Sequence, residues 1–331
     1  MTTGRRRGRS RLATQQLSLI LVVIAMAVVF SLLSDRFADY DNLRNILLQS
    51  SATTIGAVGM TFVIVTRGID LSIGSIANLS LGLAIFLAGT KSEAALATDT
   101  TGWAYPIALL TGTILGGLNA VLITRLRISP LIATLGTLTR YRGLGLHLTQ
   151  ATLTAVRGPI LSFGRDQILG IGLPVFAAAL AIAVGWLLLT QTVFGRRLLA
   201  LGGSPRSAAE TGLATGRLLL AVYAIAGLCG AAAGLIVVGR VGVLNSDLGF
   251  GFEFTVITAV VLGGTSLFGG RGSIIGSVIG AVLLTTIDNG LNLIGANPFI
   301  YDVIRGLILM AAVSLDAIVS RLDQRRLAAG H

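Results

Sequence analysis

The sequence has little of the chemistry that soluble enzymes use. Its 331 residues include one cysteine and two histidines, and only 12% of them are charged, about half the usual share for a soluble domain. The single cysteine, Cys229, excludes an intrachain disulfide framework and a cysteine metal site, and its apolar neighbours predict a small core residue. His147 and His331 are far apart in sequence, so neither a metal cluster nor a Ser-His-Asp set is predicted.

Lysine is almost absent as well, since Lys91 is the only one and arginine carries nearly all of the positive charge. A phosphate-binding P-loop requires G-x-x-x-x-G-K-[ST], and Lys91 is predicted to face the outside. The glycine-rich "GGTSLFGGRGS" at 263–273 joins two apolar runs and follows no strand, which argues against a nucleotide site there. The chain is therefore predicted to have no catalytic residues and to bind no cofactor or metal.

Apolar residues are abundant instead, at 53% of the chain with a mean hydropathy of +0.85. A helix needs about 20 mostly apolar residues to cross the hydrocarbon of a bilayer. The sequence predicts an all-α, polytopic membrane bundle of about ten spans, of which the first is a retained span and not a cleaved signal peptide. The predicted spans are 15–34, 43–66, 71–90, 103–124, 129–149, 171–190, 218–239, 250–268, 273–293 and 299–319.

The arginines orient this bundle, because short loops rich in Lys and Arg stay on the cytoplasmic side. With the N-terminus inside, sixteen of the 25 basic residues lie inside, so the net charge of +11 is explained by topology and not by a nucleic-acid partner. Both termini are then cytoplasmic. The predicted parts are a basic tail at 1–14, a membrane-spanning domain at 15–320 and a C-terminal tail at 321–331.

Glycine spacing predicts that these helices pack closely on one another. Gly112 and Gly116 form one G-x-x-x-G pair, and Gly272, Gly276 and Gly280 continue the same spacing in a later span. Small residues at this spacing let helix backbones approach each other where lipid gives no hydrophobic drive.

The longest predicted inside loop, at 191–217, contains a short helix. Ser204 is a suitable N-cap, Pro205 suits the first helical position and Gly212 suits the position after the end. An alternative start is a capping box between Ser207 and Glu210. Ala208 and Ala209 would give this helix a small, flat surface that fits a groove on a partner, although a solvated loop is equally compatible with the composition.

The stretch "TRGIDLSIGS" at 66–75 places an aspartate between two apolar runs. In one interpretation, Asp70 or Ser72 caps the following helix and Asp70 pairs with Arg67. In the other, Asp70 lies at the cytoplasmic mouth of a pathway or on a gate, because intramembrane ionisable groups face cavities.

Amides and hydroxyls within the spans suit an uncharged solute that offers many hydroxyl groups. Each of them is equally able to join neighbouring helices. Asp288 is a candidate proton site or another interhelical contact. The candidates for a pathway or gate are Asp70, Ser72, Ser75, Asn78, Ser80, Asn119, Asn289 and Asn292.

Four ordered motifs resemble the ribose-type sugar permeases of ABC importers. They are "GMTFVIVTRGIDLSIGS" at 59–75, "SPLIATLGTLTRYRGL" at 129–144, "FGRRLLALGGSPRSAAETGL" at 194–213 and "AVVLGGTSLFGGRGSIIGSVIGA" at 259–281. The resemblance spans about residues 40–316. This sequence differs from the family pattern at Arg67, where a smaller residue, often glycine, is usual in that family.

The resemblance implies a set of partners in the cytoplasmic membrane. These are a separate ATPase that binds ATP and Mg, an external solute-binding protein and a second permease copy, identical or related. It also implies that the loop at 196–212 couples to the ATPase. The residues implied in coupling are Gly195, Arg196, Arg197, Gly202, Gly203, Ser204, Pro205, Ala208, Ala209, Glu210 and Gly212.

The predicted function is therefore the import of a monosaccharide or a similar polyol, driven by that ATPase. Autoinducer-like molecules and nucleosides are alternative solutes within the same class. A proton-coupled secondary transporter, using Asp70 or Asp288 and no ATPase, is the alternative from another class. A structural or sensory membrane protein is disfavoured by the lack of a soluble domain in the predicted organisation.

Overall fold

The computed structural model describes residues 2–92 and 97–329; His331 lies outside them, as does the end of the predicted tail 321–331. The described residues form thirteen helices and six short strands. The helices are α1 (Thr2–Leu33), α2 (Tyr40–Val65), α3 (Ile73–Ala88), α4 (Ala104–Arg125), α5 (Pro130–Thr149), α6 (Pro159–Arg165), α7 (Leu173–Thr190), α8 (Val193–Gly203), α9 (Pro205–Glu210), α10 (Thr215–Val241), α11 (Phe252–Leu262), α12 (Ile274–Leu293) and α13 (Pro298–Ala329). The strands are β1 (Gly89–Ser92), β2 (Ala97–Thr100), β3 (Thr154–Arg157), β4 (Gln167–Ile168), β5 (Ile171–Gly172) and β6 (Val243–Leu244).

Each predicted span overlaps a helix. Among the described residues, six of these helices are long and apolar enough to cross a membrane, and the number of ten spans stays a prediction. The six segments are Gln16–Leu33, Tyr40–Val65, Ala104–Arg125, Leu173–Thr190, Thr215–Val241 and Ile274–Leu293.

The predicted span at 250–268 is wrong in its length. Helix α11 has 11 residues, which at 1.5 Å per residue is about half of a ~30 Å hydrocarbon layer. Gly251 precedes it and Gly264 follows it, both in the left-handed region, with φ of 72° and 86°. These two turns end the helix although the apolar run continues in the sequence, because left-handed backbone is incompatible with an α-helix.

Helix α2 lies at the centre of the bundle, in contact with α7, α10, α11 and α12. It is buried on nearly all sides from Ser50 to its end at Val65. A helix that is apolar around its whole circumference is stable only when neighbours cover it. The core cluster around α2 includes Met60, Phe62 and Tyr223.

The predicted glycine contacts are confirmed. A Cβ atom on Gly116 of α4 would lie 2.1 Å from the carbonyl oxygen of Tyr223 on α10. On α12, a Cβ added to Gly276 would lie 1.9 Å from the Gly263 oxygen, and one added to Gly280 would lie 2.1 Å from the Ala259 oxygen of α11. Only glycine allows helices to approach this closely.

The fold is consistent with the predicted all-α membrane bundle, and two small sheets connect the helix ends on the predicted outer side. The larger has the strand order β1-β2-β3-β6, with β2 and β3 parallel and the other pairs antiparallel. The smaller is the β4–β5 hairpin. Pairing satisfies backbone N–H and C=O groups that would otherwise lack partners. Strands of two to four residues from distant connections leave no periodic signal in the sequence.

Candidate functional site

The loop at 191–217 contains two helices, α8 and α9, where the sequence predicted one. Helix α8 begins after Thr192, whose hydroxyl accepts a hydrogen bond from the backbone N–H of Gly195 at 3.2 Å. Its buried side chains, Leu198 and Leu201, are three residues apart and lie on one helix face. That spacing is the signal for α8, but the glycines at 195, 202 and 203 made the segment look like a connection.

The predicted caps of α9 are confirmed. The hydroxyl of Ser204 accepts a hydrogen bond from the backbone N–H of Ser207 at 3.3 Å, and Pro205 occupies the first turn. Gly212, just past the end, has a φ of 76°. The alternative capping box is wrong, because Ser207 lies within the helix and the Glu210 carboxylate instead pairs with the Arg206 guanidinium at 3.0 Å.

The predicted flat surface of two alanines needs correction. Ala208 is 6% exposed and belongs to the core cluster of the chain itself, whereas Ala209 is exposed. Successive helical residues are about 100° apart and so face different directions. The surface that α9 presents to solvent consists of Pro205, Arg206, Ser207, Ala209 and Glu210, together called here the α9 face.

The remaining residues of the implied coupling set divide into two groups. Arg196, Arg197 and Gly203 are exposed. Gly195 and Gly202 are buried against neighbouring backbone, and a Cβ on Gly202 would lie 1.8 Å from the Val65 carbonyl oxygen at the end of α2. The start of α8 is thus held on α7 and its end on α2.

Asp70 lies in a fully buried polar network at the start of α3. One carboxylate oxygen, Oδ1, accepts hydrogen bonds from the backbone N–H of Ser72 at 2.8 Å and from the Ser72 hydroxyl at 2.7 Å. The Ser72 hydroxyl in turn accepts from the Asn119 amide of α4 at 2.7 Å, and Tyr141 of α5 donates to Asn119 Oδ1 at 3.4 Å. The network therefore joins α3, α4 and α5.

This network shows which side chain caps the start of α3. Asp70 satisfies a free N–H at the start of α3, as the capping interpretation predicts, whereas the Ser72 side chain makes no cap hydrogen bond to the helix. The predicted pair between Asp70 and Arg67 is wrong, because the Arg67 guanidinium binds the end of α8 instead. The second oxygen of Asp70, Oδ2, is buried without a hydrogen-bond partner among the described residues.

Three other candidates make contacts within the bundle. Ser75 and Ser80 donate to carbonyls of their own helix, α3. The Asn78 amide donates to the carbonyls of Asn245 and Leu248, both at 3.4 Å. Asn78 thus holds the 245–248 segment against α3, which is the helix-joining role that the sequence allowed.

Asn289 and Asn292 line a cavity of about 290 Å³ between α2, α12 and α13. Asn289 also joins helices, because its amide exchanges two hydrogen bonds of 3.0 Å with the Asn42 amide. Asn292 is exposed. This cavity is called here the amide cavity. Its other lining residues are Asn42, Asn45, Gln49, Asp288, Leu293 and Tyr301.

The residues on the α2 side of the amide cavity were not among the candidates predicted from the sequence. Asn42, Asn45 and Gln49 are three and four residues apart, so they lie on one helix face. That spacing was a usable signal, but it lies at the start of a predicted span whose partner helices the sequence did not identify.

A second, inner cavity of about 260 Å³ lies next to the first, and Asp288 lines both. The Asp288 carboxylate accepts from the Arg305 guanidinium at 2.9 Å, so the charges at the boundary neutralise each other. Thr53, one helical turn beyond Gln49, lines this inner cavity together with Ala77 of α3 and Thr255 of α11. Helix α2 thus lines two neighbouring cavities, one at its predicted outer end and one nearer the middle of the bundle.

Comparisons with known proteins were made over the whole chain. Residues 42–313 match the family described as "Branched-chain amino acid transport system / permease component". The ribose import permease protein RbsC of Bacillus subtilis (strain 168) is 38% identical over 305 residues, which are 91% of this chain and 92% of that protein. No solved structure matches the chain.

Two further relatives come from Escherichia coli (strain K12). The D-allose transport system permease protein AlsC is 34% identical over 304 residues, 91% of each chain. The galactose/methyl galactoside import permease protein MglC is 34% identical over 312 residues, 90% of this chain and 92% of that protein. By the matched residues and by these identities, this chain belongs to the permease component family of ABC transport systems and is a multi-pass membrane protein.

Proposed function

We propose that the chain, over its 15–320 region, forms the translocation pathway of an ABC importer for a monosaccharide or a similar polyhydroxy solute in the cytoplasmic membrane. The amide cavity carries this proposal. Its polar groups outside the Asp288–Arg305 pair are neutral amides and a phenol, which suit sugar hydroxyls because each amide both donates and accepts hydrogen bonds. Relatives named for ribose, allose and galactose support the same solute class.

The description of the matched family names branched-chain amino acids, and the cavity favours a sugar over that class. A zwitterion needs a cation for its carboxylate and an anion for its ammonium group, since an unpaired charge in a dry site is costly. The charged residue that lines this cavity, Asp288, is already paired with Arg305 at 2.9 Å, and Arg305 also contacts the Asp302 carboxylate at 3.1 Å. Binding an amino acid would require this pair to break.

A separate ATPase supplies the energy in this proposal, and the α9 face is its docking surface. The face is exposed, lies on a short capped helix and carries one cation and one anion beside a small residue. ATP and Mg would be held by that partner, and an external binding protein would deliver the solute to the pathway formed with a second permease copy. The permease pair would alternate between an outward-open and an inward-open conformation, because the ATPase would bind these two conformations with different affinities.

Gln49→Ala and Asn292→Ala are expected to slow uptake about 2–10-fold each, because one neutral hydrogen bond contributes ~0.5–1.5 kcal/mol. Neither side chain makes a hydrogen bond within the described residues, so folding should be unaffected. The measurement is ATP-driven uptake into proteoliposomes of D-ribose, D-allose, D-galactose and L-leucine at fixed concentrations of ATPase and binding protein.

Gln167→Ala is the matched control, because it is an exposed amide on the same predicted side but outside the cavity. It should leave uptake unchanged. Uptake of leucine with no uptake of any monosaccharide, or equal losses in Gln167→Ala and the two cavity variants, would refute the proposed solute class or the proposed pathway.

A further inference from the structure

Arg67 connects two segments that are 135 residues apart in sequence. Its guanidinium donates from Nε to the carbonyl oxygen of Gly202 at 2.6 Å and from Nη2 to that of Gly203 at 2.7 Å. These are the last two carbonyls of α8, which have no partner within the helix. A cation at this end of a helix is also favoured by the helix dipole. The arginine therefore acts as a side-chain clamp on the end of α8.

The backbone of Arg67 is strained in a way that glycine would relieve. Its φ is 66°, in the left-handed region, which costs a residue with a Cβ about 1–2 kcal/mol. Strain of this kind persists only where the surroundings hold it. Here the backbone N–H of Arg67 donates to the Ile64 carbonyl at 2.9 Å, and the guanidinium is held by α8.

The glycine-rich loop at 263–273 completes the junction. Gly270 donates from its backbone N–H to the Val65 carbonyl at 2.9 Å. A Cβ on Gly269 would lie 2.4 Å from Cγ of Arg67, and a Cβ on Gly270 would lie 2.8 Å from Cα of Gly203. The end of α2, the end of α8 and this loop therefore contact each other directly, without intervening side chains other than Arg67.

The junction is close to both the α9 face and the buried polar network. Only Ser204 separates Gly203 from the start of α9 at Pro205. On the other side, three residues after Arg67, Asp70 binds Ser72 and through it Asn119 of α4. Three short elements therefore connect α9 with the start of α3. They are the linker residue Ser204, the side chain of Arg67 and the turn that follows Arg67.

We infer that Arg67 is a positioning residue that transmits movement of the α8–α9 loop to the 66–72 turn and so to α3. This inference rests on the proposed function, since it assumes that a partner moves α9. It assigns a role to the arginine of the 66–75 motif. Glycine there would keep the turn without strain but would leave α8 free of the clamp.

The test compares Arg67→Gly with Arg127→Gly. Arg127 is matched to Arg67: it is an exposed arginine on the same predicted side, has a φ of 56° and makes no side-chain hydrogen bond or ion pair with the described residues. Each variant is reconstituted with the ATPase and the binding protein. The measured quantity is the amount of solute moved per ATP hydrolysed, together with thermal stability and binding of the ATPase.

Arg67→Gly is expected to lower this ratio at least threefold while thermal stability and ATPase binding stay at the parent level. Arg127→Gly should match the parent, and Arg67→Lys, which keeps a donor that can reach one carbonyl, should recover part of the ratio. A parental ratio in Arg67→Gly, or a loss that only follows lost stability or lost ATPase binding, would overturn the inference and leave the proposed function intact. A parent protein with no ATP-driven uptake would overturn both.

Discussion

Ala209→Arg should reduce ATP-driven uptake at least tenfold and leave the membrane protein folded. Ala209 is exposed on the α9 face, between Arg206 and Glu210. A new charge left unpaired in a desolvated protein interface costs about 2–5 kcal/mol, and each 1.4 kcal/mol is a tenfold change in affinity. The measurement is uptake together with co-purification of the ATPase.

Two control variants separate docking from folding. Ala200→Arg places the same charge on an exposed position of α8 and should retain most of the uptake. Ala208→Arg places it in the core cluster, where an unpaired charge is destabilising, so this variant should lose thermal stability instead. Full uptake by Ala209→Arg, or an equal loss in Ala200→Arg, would contradict docking through the α9 face.

Gly116→Ala should lower the thermal stability of the bundle, whereas Gly117→Ala should leave it equal or higher. A Cβ on Gly116 would lie 2.1 Å from the Tyr223 oxygen, but one on Gly117 meets only a Leu220 methyl group at 3.7 Å. Forcing an extra carbon into a packed contact costs about 1–3 kcal/mol. Alanine in place of an unconstrained helical glycine gains up to ~1 kcal/mol of helix propensity.

The measurement is the midpoint of thermal unfolding in detergent for these two adjacent substitutions. Because the two glycines share one helix, lipid depth and detergent affect both alike. We expect Gly116→Ala to unfold several degrees below Gly117→Ala. Equal midpoints would mean that α4 and α10 are not packed backbone to backbone, and the arrangement of the bundle around α10 would need revision.

Features set by local chemistry could be predicted from the sequence. The Ser204 cap, Pro205 at the first helical position and Gly212 after the end define α9 within nine residues, and each acts on its own segment. The apolar runs located the helices for the same reason. Glycine spacing also indicated that the helix of Gly112 and Gly116 packs closely on another helix, and the structure shows that this partner is α10.

Features that depend on distant segments could not be predicted. Arg67 was expected to pair with the nearby Asp70, but the chain brings the end of α8 to it across 135 residues. The amide cavity needs α2, α12 and α13 to meet, and the outer sheet needs β2 beside β3. Helix α11 is short because of two glycine turns, whereas hydropathy registers only the apolar run.

The most direct test of the account is the energy source of uptake. Vesicles containing the purified chain, with and without the ATPase and the binding protein, are loaded with ATP or given a proton gradient, and accumulation of a monosaccharide is followed. We predict accumulation only when ATP and both partners are present. Accumulation by the chain alone, driven by the proton gradient, would contradict the account and would point to Asp70 or Asp288 as a proton site.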